Sequence, residues 1–274
     1  MDHNIQIRRS GWEIPAYEEY VFSPKQVEYA LVIPVINEGE CLRRLLESIA
    51  VCPAAGGVEI VVADGGGTDG STDKAALKGH GVRALLVKTG PGRLSAQLRM
   101  AYSWTLEQGY AGVITIDGNG KDDPASLPLF LEALKRGVDY AQASRFIRGG
   151  QAENTPPVRW LAIRLVHAPL ISLAAGVRLT DTTQGYRGYS ARYLAHPLVQ
   201  PFREVFQDYE LLAYLSVRAG QLGLKVLELP SARRYPKGEP VPTKITGWRG
   251  NIELLLTLFK TICGKFTPPA PKRE

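Results

Sequence analysis

Hydrophobic residues in this chain fall into short unbroken runs, each followed by a stretch where apolar residues return at helical spacing. Residues 29–35 form the first run, and the segment 38–50 then places Leu42, Leu45, Leu46 and Ile49 on one helical face. The couplet recurs: a strand is predicted over 58–63 with a helix from about Thr68, a strand over 82–87 with a helix over 93–107, and a strand over 111–116 with a helix over 124–136. Continuous apolar strands alternating with helices predict a mostly parallel sheet covered on both faces. After a further run at 138–143 the alternation breaks down into a polar loop (149–157), a long apolar helix (158–175), a strand near 185–189, a helix (208–219) and a strand (225–229). The second half is therefore expected to be mixed. The Pro- and Lys-rich stretch 233–244 reads as a mobile loop. Ile252, Leu255, Leu256, Leu258 and Phe259 form an amphipathic closing helix before a disordered tail. These boundaries give an extension (1–26), one α/β domain (27–262) with halves 27–145 and 146–262, and a tail (263–274).

Composition changes this picture little. The 274 residues are 45% hydrophobic and 22% charged, enough for a sizeable core. A net charge of +6 favours anionic partners such as nucleotides, phosphates or an acidic membrane surface. Cys41, Cys52 and Cys263 are odd in number and lack CxxC or metal-like spacing, which disfavours a disulfide framework and favours a reducing compartment. The first residues lack an apolar signal core, and no later segment approaches the roughly 20 uninterrupted apolar residues of a membrane span. The chain is therefore expected to be cytoplasmic, soluble or peripheral on a membrane, and no nucleic-acid partner is expected.

In a parallel α/β sheet, ligands collect at the carboxyl ends of the strands, which singles out Asn37 and Glu38, Asp64, and Asp117 with Asn119. Each alone is equally well explained as a helix cap. The run from Asp64 through Gly65, Gly66 and Gly67 to Ser71 invites comparison with a dinucleotide fingerprint. That fingerprint belongs to the first strand-helix turn, which here reads Pro34-Val35-Ile36-Asn37-Glu38 without a glycine triplet. Asp64 can instead accept a hydrogen bond from a base imino group while the glycines admit close approach of a ligand. Thr68 or Asp69 reads as the cap of the helix that follows. His80, His167 and His196 lack metal-ligand spacing and read as structural.

With these positions in view, the sequence resembles the family 2 glycosyltransferases, particularly the branch of dolichyl-phosphate mannosyltransferases and bacterial polyprenyl-phosphate glycosyltransferases. The resemblance rests on IPVINEGE (33–40), IVVADGGGTDGSTD (60–73), GPGRLSAQLRMAY (90–102), ITIDGNGKDDP (114–124), ASRF (143–146), DTTQGYRGYS (181–190) and RRYPKGEPVPTK (233–244), in family order across nearly the whole chain. It implies a GT-A (Rossmann-like) fold, an inverting transfer in cell-envelope biosynthesis, and a nucleoside pocket from Pro34, Glu38 and Asp64 with Arg93 near the base or diphosphate. Asp117 would be the metal carboxylate, for Mg2+ or Mn2+. Where the family has Asp-x-Asp, this sequence has Asp117-Gly118-Asn119, whose amide oxygen can ligate a hard ion but brings no charge.

The leaving nucleoside diphosphate gathers negative charge, so cations must meet it. Arg233 or Arg234 and Lys244 resemble the family's loop residues that close over the diphosphate. Asp123, before Pro124, reads as a cap. Arg145 and Arg164 would hold an acceptor phosphate, with Arg159 an alternative to Arg164, and Asp181, Gln184 and Arg187 would lie on the acceptor side. A lipid-phosphate acceptor is already ionised and needs no base. A sugar hydroxyl, in polysaccharide or glycolipid synthesis, would need one, and Asp208 or Glu210 is the best placed by sequence. A noncatalytic module that binds a sugar nucleotide is the remaining alternative, motivated by Asn119.

Overall fold

The computed structural model describes residues 11–236 and 247–269, and of residues 247–252 the backbone only. Strand β1 (Tyr17–Val21) leads directly to β2 (Tyr29–Val35); β2, β3 (Glu59–Asp64), β4 (Val82–Lys88), β5 (Gly112–Thr115) and β6 (Tyr140–Ser144) alternate with helices, followed by β7 (Gln151–Glu153), β8 (Arg187–Ser190), β9 (Val226–Pro230) and β10 (Ala232–Arg234). The main sheet has the order β1-β4-β3-β2-β5-β8-β6-β9, and β10 pairs with β7 in a small separate sheet. The predicted parallel block is present, with β2, β3, β4 and β5 in parallel register. The expected mixing is also present, because β8 runs antiparallel between β5 and β6 while β6 and β9 are parallel.

The helices are α1 (Glu40–Ala50), α2 (Lys74–Gly79), α3 (Leu94–Glu107), α4 (Leu127–Lys135), α5 (Pro157–Ala175), α6 (Ala191–Leu194), α7 (Glu210–Gln221) and α8 (Gly247–Ile262). Because successive strand residues face opposite ways, the buried strands feed two cores. Leu31, Ile33, Val62 and Leu85 pack under α1, α2 and α4, while Ala30, Val32, Val61, Ala63 and Leu86 pack under α3 and α7. At 11 residues α1 is shorter than the ~12–15 that a free helix needs. Burial of Leu42, Leu45, Leu46 and Ile49 at about 2 kcal/mol each holds it in place.

Several expectations are corrected. The presumed extension supplies β1, an edge strand antiparallel to β4. The presumed tail is anchored by Phe266, which is buried and packs on Phe206 at 5.7 Å between ring centroids. The loop at 149–157 contains β7, and β10 gives the start of the supposed mobile loop a fixed place. Helix α2 begins only at Lys74, where Asp73 accepts the Ala76 N–H at 2.9 Å, so neither Thr68 nor Asp69 is its cap.

Helix α5, at 19 residues, is long and apolar enough by length and composition to cross a membrane, contrary to the reading that no segment approaches a span. Ile163, Ala168, Ile171 and Ala175 nevertheless dock into the domain, with α7 and α8 sharing the contact through Val217 and Leu258. Ile163–His167 widens into a π-turn in which the Ala168 N–H reaches the Ile163 carbonyl. Pro169 follows and has no N–H to return to the turn before it, which favours such a bulge.

Candidate active site

The ends of β2 and β3 are fastened together where the nucleotide pocket is expected. Val35 and Asp64 are register partners, and Gln97 of α3 donates to the carbonyls of Val35 (2.9 Å) and Ala63 (2.5 Å). Asp64 is buried and accepts from the N–H groups of Gly66 (2.9 Å) and Gly67 (2.7 Å) and from the Thr72 hydroxyl (2.7 Å). Asn37, held at φ +53°, takes the Thr68 N–H at 2.6 Å and the Asp69 N–H at 3.2 Å. Asp69 takes the Gly39 N–H at 2.9 Å. The glycine loop is thus tied to the first turn. Pro34 gives its carbonyl to the Gly118 N–H at 3.3 Å, and Gly65 N–H bonds to the Val35 carbonyl at 2.8 Å, so Asp64 and Asp117 flank one strand end. Glu38, half-buried, lies on the same turn.

At the mouth, Arg93 is exposed, with its Nε 3.7 Å from Asp208. The Arg93 N–H bonds to the Gln207 carbonyl at 2.8 Å, bringing the starts of α3 and α7 together. Asp208 does not cap α7 through its side chain, and the Glu210 carboxylate is engaged by the Asp208 N–H at 2.8 Å.

The second cluster forms around Arg233. Its Nη1 reaches both oxygens of buried Asp122 at 2.7 and 2.6 Å, and its Nη2 lies 3.7 Å from Asp117. Burial would weaken the guanidinium's hold on its proton, but Asp122 and Asp117 outweigh it and raise the pKa further. The Arg234 N–H to Lys121 carbonyl bond (2.8 Å) and the Asp123 N–H to Ala232 carbonyl bond (3.1 Å) fix β10 against residues 121–123. Arg233 is therefore a fixed buried cation and not part of a mobile loop. Arg234 turns outward to Asp123 (2.9 Å) and Glu153 (3.0 Å), and Asp123 caps the Pro124 turn as expected, accepting from the Ala125 N–H at 3.0 Å. Burial and Arg233 both lower the pKa of nearby Lys121. Lys244 lies outside the described residues.

On the side where the acceptor is expected, Arg145 is fully buried, donating to Asp181 at 2.7 Å and to Thr183 at 3.2 Å while its Nη1 lacks a partner among the described residues. Asp181 also receives the Gln184 amide at 2.7 Å. Burial opposes ionisation of Asp181, but Arg145 and the Gln184 amide hold its pKa below the usual range. Arg187 is also expected on the acceptor side. It is buried on β8, and its donors go to the carbonyls of Gln184 (2.8 Å), Leu212 (2.5 Å) and Thr182 (2.9 Å) and to Ser216 (3.0 Å). It therefore binds β8 to α7. Arg164 stacks over Phe146 (5.3 Å) and Trp160 (5.7 Å), whereas Arg159 reaches the Tyr235 hydroxyl at 3.3 Å beside the Arg233 cluster.

Sequence reasoning missed Gln97, Asp122 as the partner of Arg233, Tyr235, and Glu228, which accepts the N–H groups of Thr180 (2.7 Å) and Asp181 (3.1 Å). Tyr235 sits inside the quoted RRYPKGEPVPTK, so its signal was present; Glu228, in an ordinary strand, carried none.

Asp117 and Asn119 offer oxygen donors at the end of β5, the donor type that Mg2+ and Mn2+ prefer, and Mg2+ sites commonly combine one or two carboxylates with substrate phosphates. No group of three or more His, Cys, Asp or Glu poised for a metal exists among the described residues. The donor set fits an ion shared with a diphosphate and does not fit an all-protein cage.

The description Glycosyl transferase family 2 fits residues 30–196. A polyprenol monophosphomannose synthase from Mycolicibacterium smegmatis is 29% identical over 214 residues, covering 73% of this chain and 75% of that protein. An undecaprenyl-phosphate mannosyltransferase from Micrococcus luteus is 30% identical over 202 residues, covering 73% of this chain and 80% of that protein. Among solved structures, the Mycobacterium tuberculosis glucosyl-3-phosphoglycerate synthase complex with Mn2+, UDP and glucosyl-3-phosphoglycerate aligns with a TM-score of 0.60 at 17% identity, over 89% of this chain and 82% of that one. That likeness establishes the shared GT-A fold. With the matched region spanning most of the sheet and both carboxylate-bearing strand ends, the chain belongs to the family 2 glycosyltransferases.

Proposed function

We propose that this enzyme transfers a sugar, with inversion, from a nucleotide sugar to a polyprenyl phosphate. The observation that carries the reading is the convergence of Arg145, Arg159, Arg233 and Lys121 around Tyr235, next to Asp117. The relatives named as mannosyltransferases acting on polyprenol-type lipids support it. The base and ribose lie between the Asn37–Glu38 turn and Asp64, with Arg93 at the mouth. The diphosphate lies toward Asp117, Arg233 and Lys121.

An acceptor phosphate oxygen attacks the anomeric carbon from the face opposite the diphosphate. A sugar–phosphate bond forms as the bond to the nucleoside diphosphate breaks, and the leaving diphosphate takes the electron pair. Arg233 and Lys121 meet that charge without reorganising, since Arg233 is already fixed by Asp122. Asp117 and Asn119 would hold a divalent ion, which would supply Lewis-acid stabilisation of the diphosphate. No side chain need remove a proton, because the second pKa of a phosphate monoester is about 6. Asp208 and Glu210 then shape the mouth and do not act as bases.

The same reading places the enzyme peripherally on an anionic cytoplasmic leaflet. Val158, Leu161, Leu165 and Leu173 of α5 and Leu255, Leu256 and Phe259 of α8 are exposed, with Arg148, Arg164, Arg178 and Lys260 also exposed nearby in sequence. Apolar insertion combined with basic side chains suits such a surface.

Incubation with labelled nucleotide sugars and extracted polyprenyl phosphate tests the proposal. Label should enter the lipid phosphate; label recovered only on a sugar hydroxyl acceptor would overturn it.

A further inference from the structure

Tyr235 lies in the middle of the cationic cluster and has no part in the chemistry above. It is 4% exposed, and its ring lies 5.9 Å from Lys121 Nζ, 5.7 Å from Arg159 Cζ and 5.9 Å from Arg233 Cζ. Arg145 also acts on it electrostatically. The carboxylates near this cluster are Asp117, Asp122 and Asp181, and the last two are held by Arg233 and Arg145. The backbone N–H of Tyr235 bonds to the Glu153 carbonyl at 3.1 Å, and its carbonyl accepts from Asn154 at 3.1 Å, so the residue is fixed at both ends.

A phenol has one proton to donate and two lone pairs to accept with. Here the oxygen accepts from Arg159 at 3.3 Å, and the Arg233 guanidinium lies beside the ring. Guanidinium groups only donate, so neither can take the phenol's proton. Two guanidiniums that act on it electrostatically each keep a buried donor with no partner among the described residues, Arg145 at Nη1 and Arg233 at Nε. Unpartnered buried donors are costly, and two of them on guanidiniums that also act on this phenol favour an anion in the cluster. Burial pushes the phenol's pKa up, yet Arg233, Arg145 and Arg159 reverse that and bring it down to about 8. A phenol of this acidity is a strong donor to an anion.

We propose that Tyr235 is a specificity-determining residue whose hydroxyl, oriented by Arg159 and Arg233, donates a hydrogen bond to the acceptor's phosphate and so selects a phosphate monoester over a neutral hydroxyl. This rests on the lipid-phosphate reading. Tyr235 takes no proton and forms no bond to the sugar; it adds an aimed donor to a site otherwise made of charge.

The test compares wild type with Tyr235→Phe, using a short-chain prenyl phosphate as acceptor and measuring KM for donor and acceptor separately. The variant should raise acceptor KM about tenfold, as expected for a lost hydrogen bond to a charged group. Donor KM and melting temperature should stay unchanged. An unchanged acceptor KM overturns the assignment, as does a parallel rise of both KM values with a lower melting temperature, which marks a structural role. If wild type itself makes no product on the prenyl phosphate, the acceptor reading fails first, and that result is distinct from any effect of the substitution.

Discussion

Gly185 lies directly against Asp117: a Cβ built on Gly185 would stand 2.1 Å from Asp117 Oδ1. The pairing follows from register. Thr115 of β5 faces Arg187 of β8, and continuing that antiparallel ladder two residues beyond β5 sets Asp117 opposite Gly185. Any side chain there must displace the carboxylate.

Gly185→Ala should therefore reduce kcat by about 100-fold, comparable to losing one preorganised electrostatic group, while the fold persists. Steady-state kinetics beside circular dichroism check this. A variant with kcat within threefold of wild type would show that Asp117 need not hold its present position.

Removal of the Arg233 guanidinium would leave Asp122 buried without a counterion. Arg233→Met should cost about 3–5 kcal/mol of stability, the usual penalty for an orphaned buried charge. Adding Asp122→Leu should recover much of that stability without restoring transfer. Urea unfolding of the single and double variants separates the structural from the catalytic contribution.

Transfer should require Mg2+ or Mn2+ and be lost on chelation. Asn119→Asp adds a charged oxygen donor and should lower the half-saturating metal concentration by about tenfold. Activity measured across a metal titration reads this out; an unchanged titration curve would remove Asn119 from the donor set.

Asp208→Asn and Glu210→Gln should leave kcat on a lipid phosphate within about threefold, because a phosphate monoester is already ionised. A loss of about 100-fold in kcat, typical for removal of a general base, would restore the hydroxyl-acceptor mechanism.

His167 gives stability a pH dependence. Its Nδ1 lies 2.5 Å from the Thr182 hydroxyl, and burial, with Arg187 adding to it, lowers its pKa from 6.5 to about 4. The unfolded chain then binds the proton more readily than the folded one between those values. The contribution is fully present above pH 6.5 and should fall by up to about 1.4 kcal/mol per pH unit on acidification toward pH 4. Urea midpoints at pH 7, 6 and 5 should show a shallower decline in His167→Asn than in wild type.

The parallel block was legible because β2, β3 and β4 are buried on both faces and advertise this as unbroken apolar runs. β1 was not, since Tyr17–Val21 carries Glu18 and Glu19 on an edge whose side chains are largely solvated. Strand ends located Asp64 and Asp117, because topology fixes where such ends gather. Sequence could not show which way a polar side chain points. Arg145 and Arg187 were both read as acceptor residues, yet Arg145 keeps one donor without a partner among the described residues whereas Arg187 spends its hydrogen bonds on backbone carbonyls and Ser216. The Arg233–Asp122 pair joins positions more than a hundred residues apart, and only the folding of β10 against the β5–α4 connection reveals it.

β8 is hydrogen-bonded on both edges, to β5, which leads to Asp117, and to β6, which leads to Arg145. If the halves flanking it are those of donor and acceptor, as proposed, they are riveted through a common plank, and bending between them would tear a central ladder. On that reading the two substrates meet without one lobe closing upon the other. The spacing between the reacting atoms is then machined into the sheet itself, and selection among substrates falls to side chains and loops at its rim.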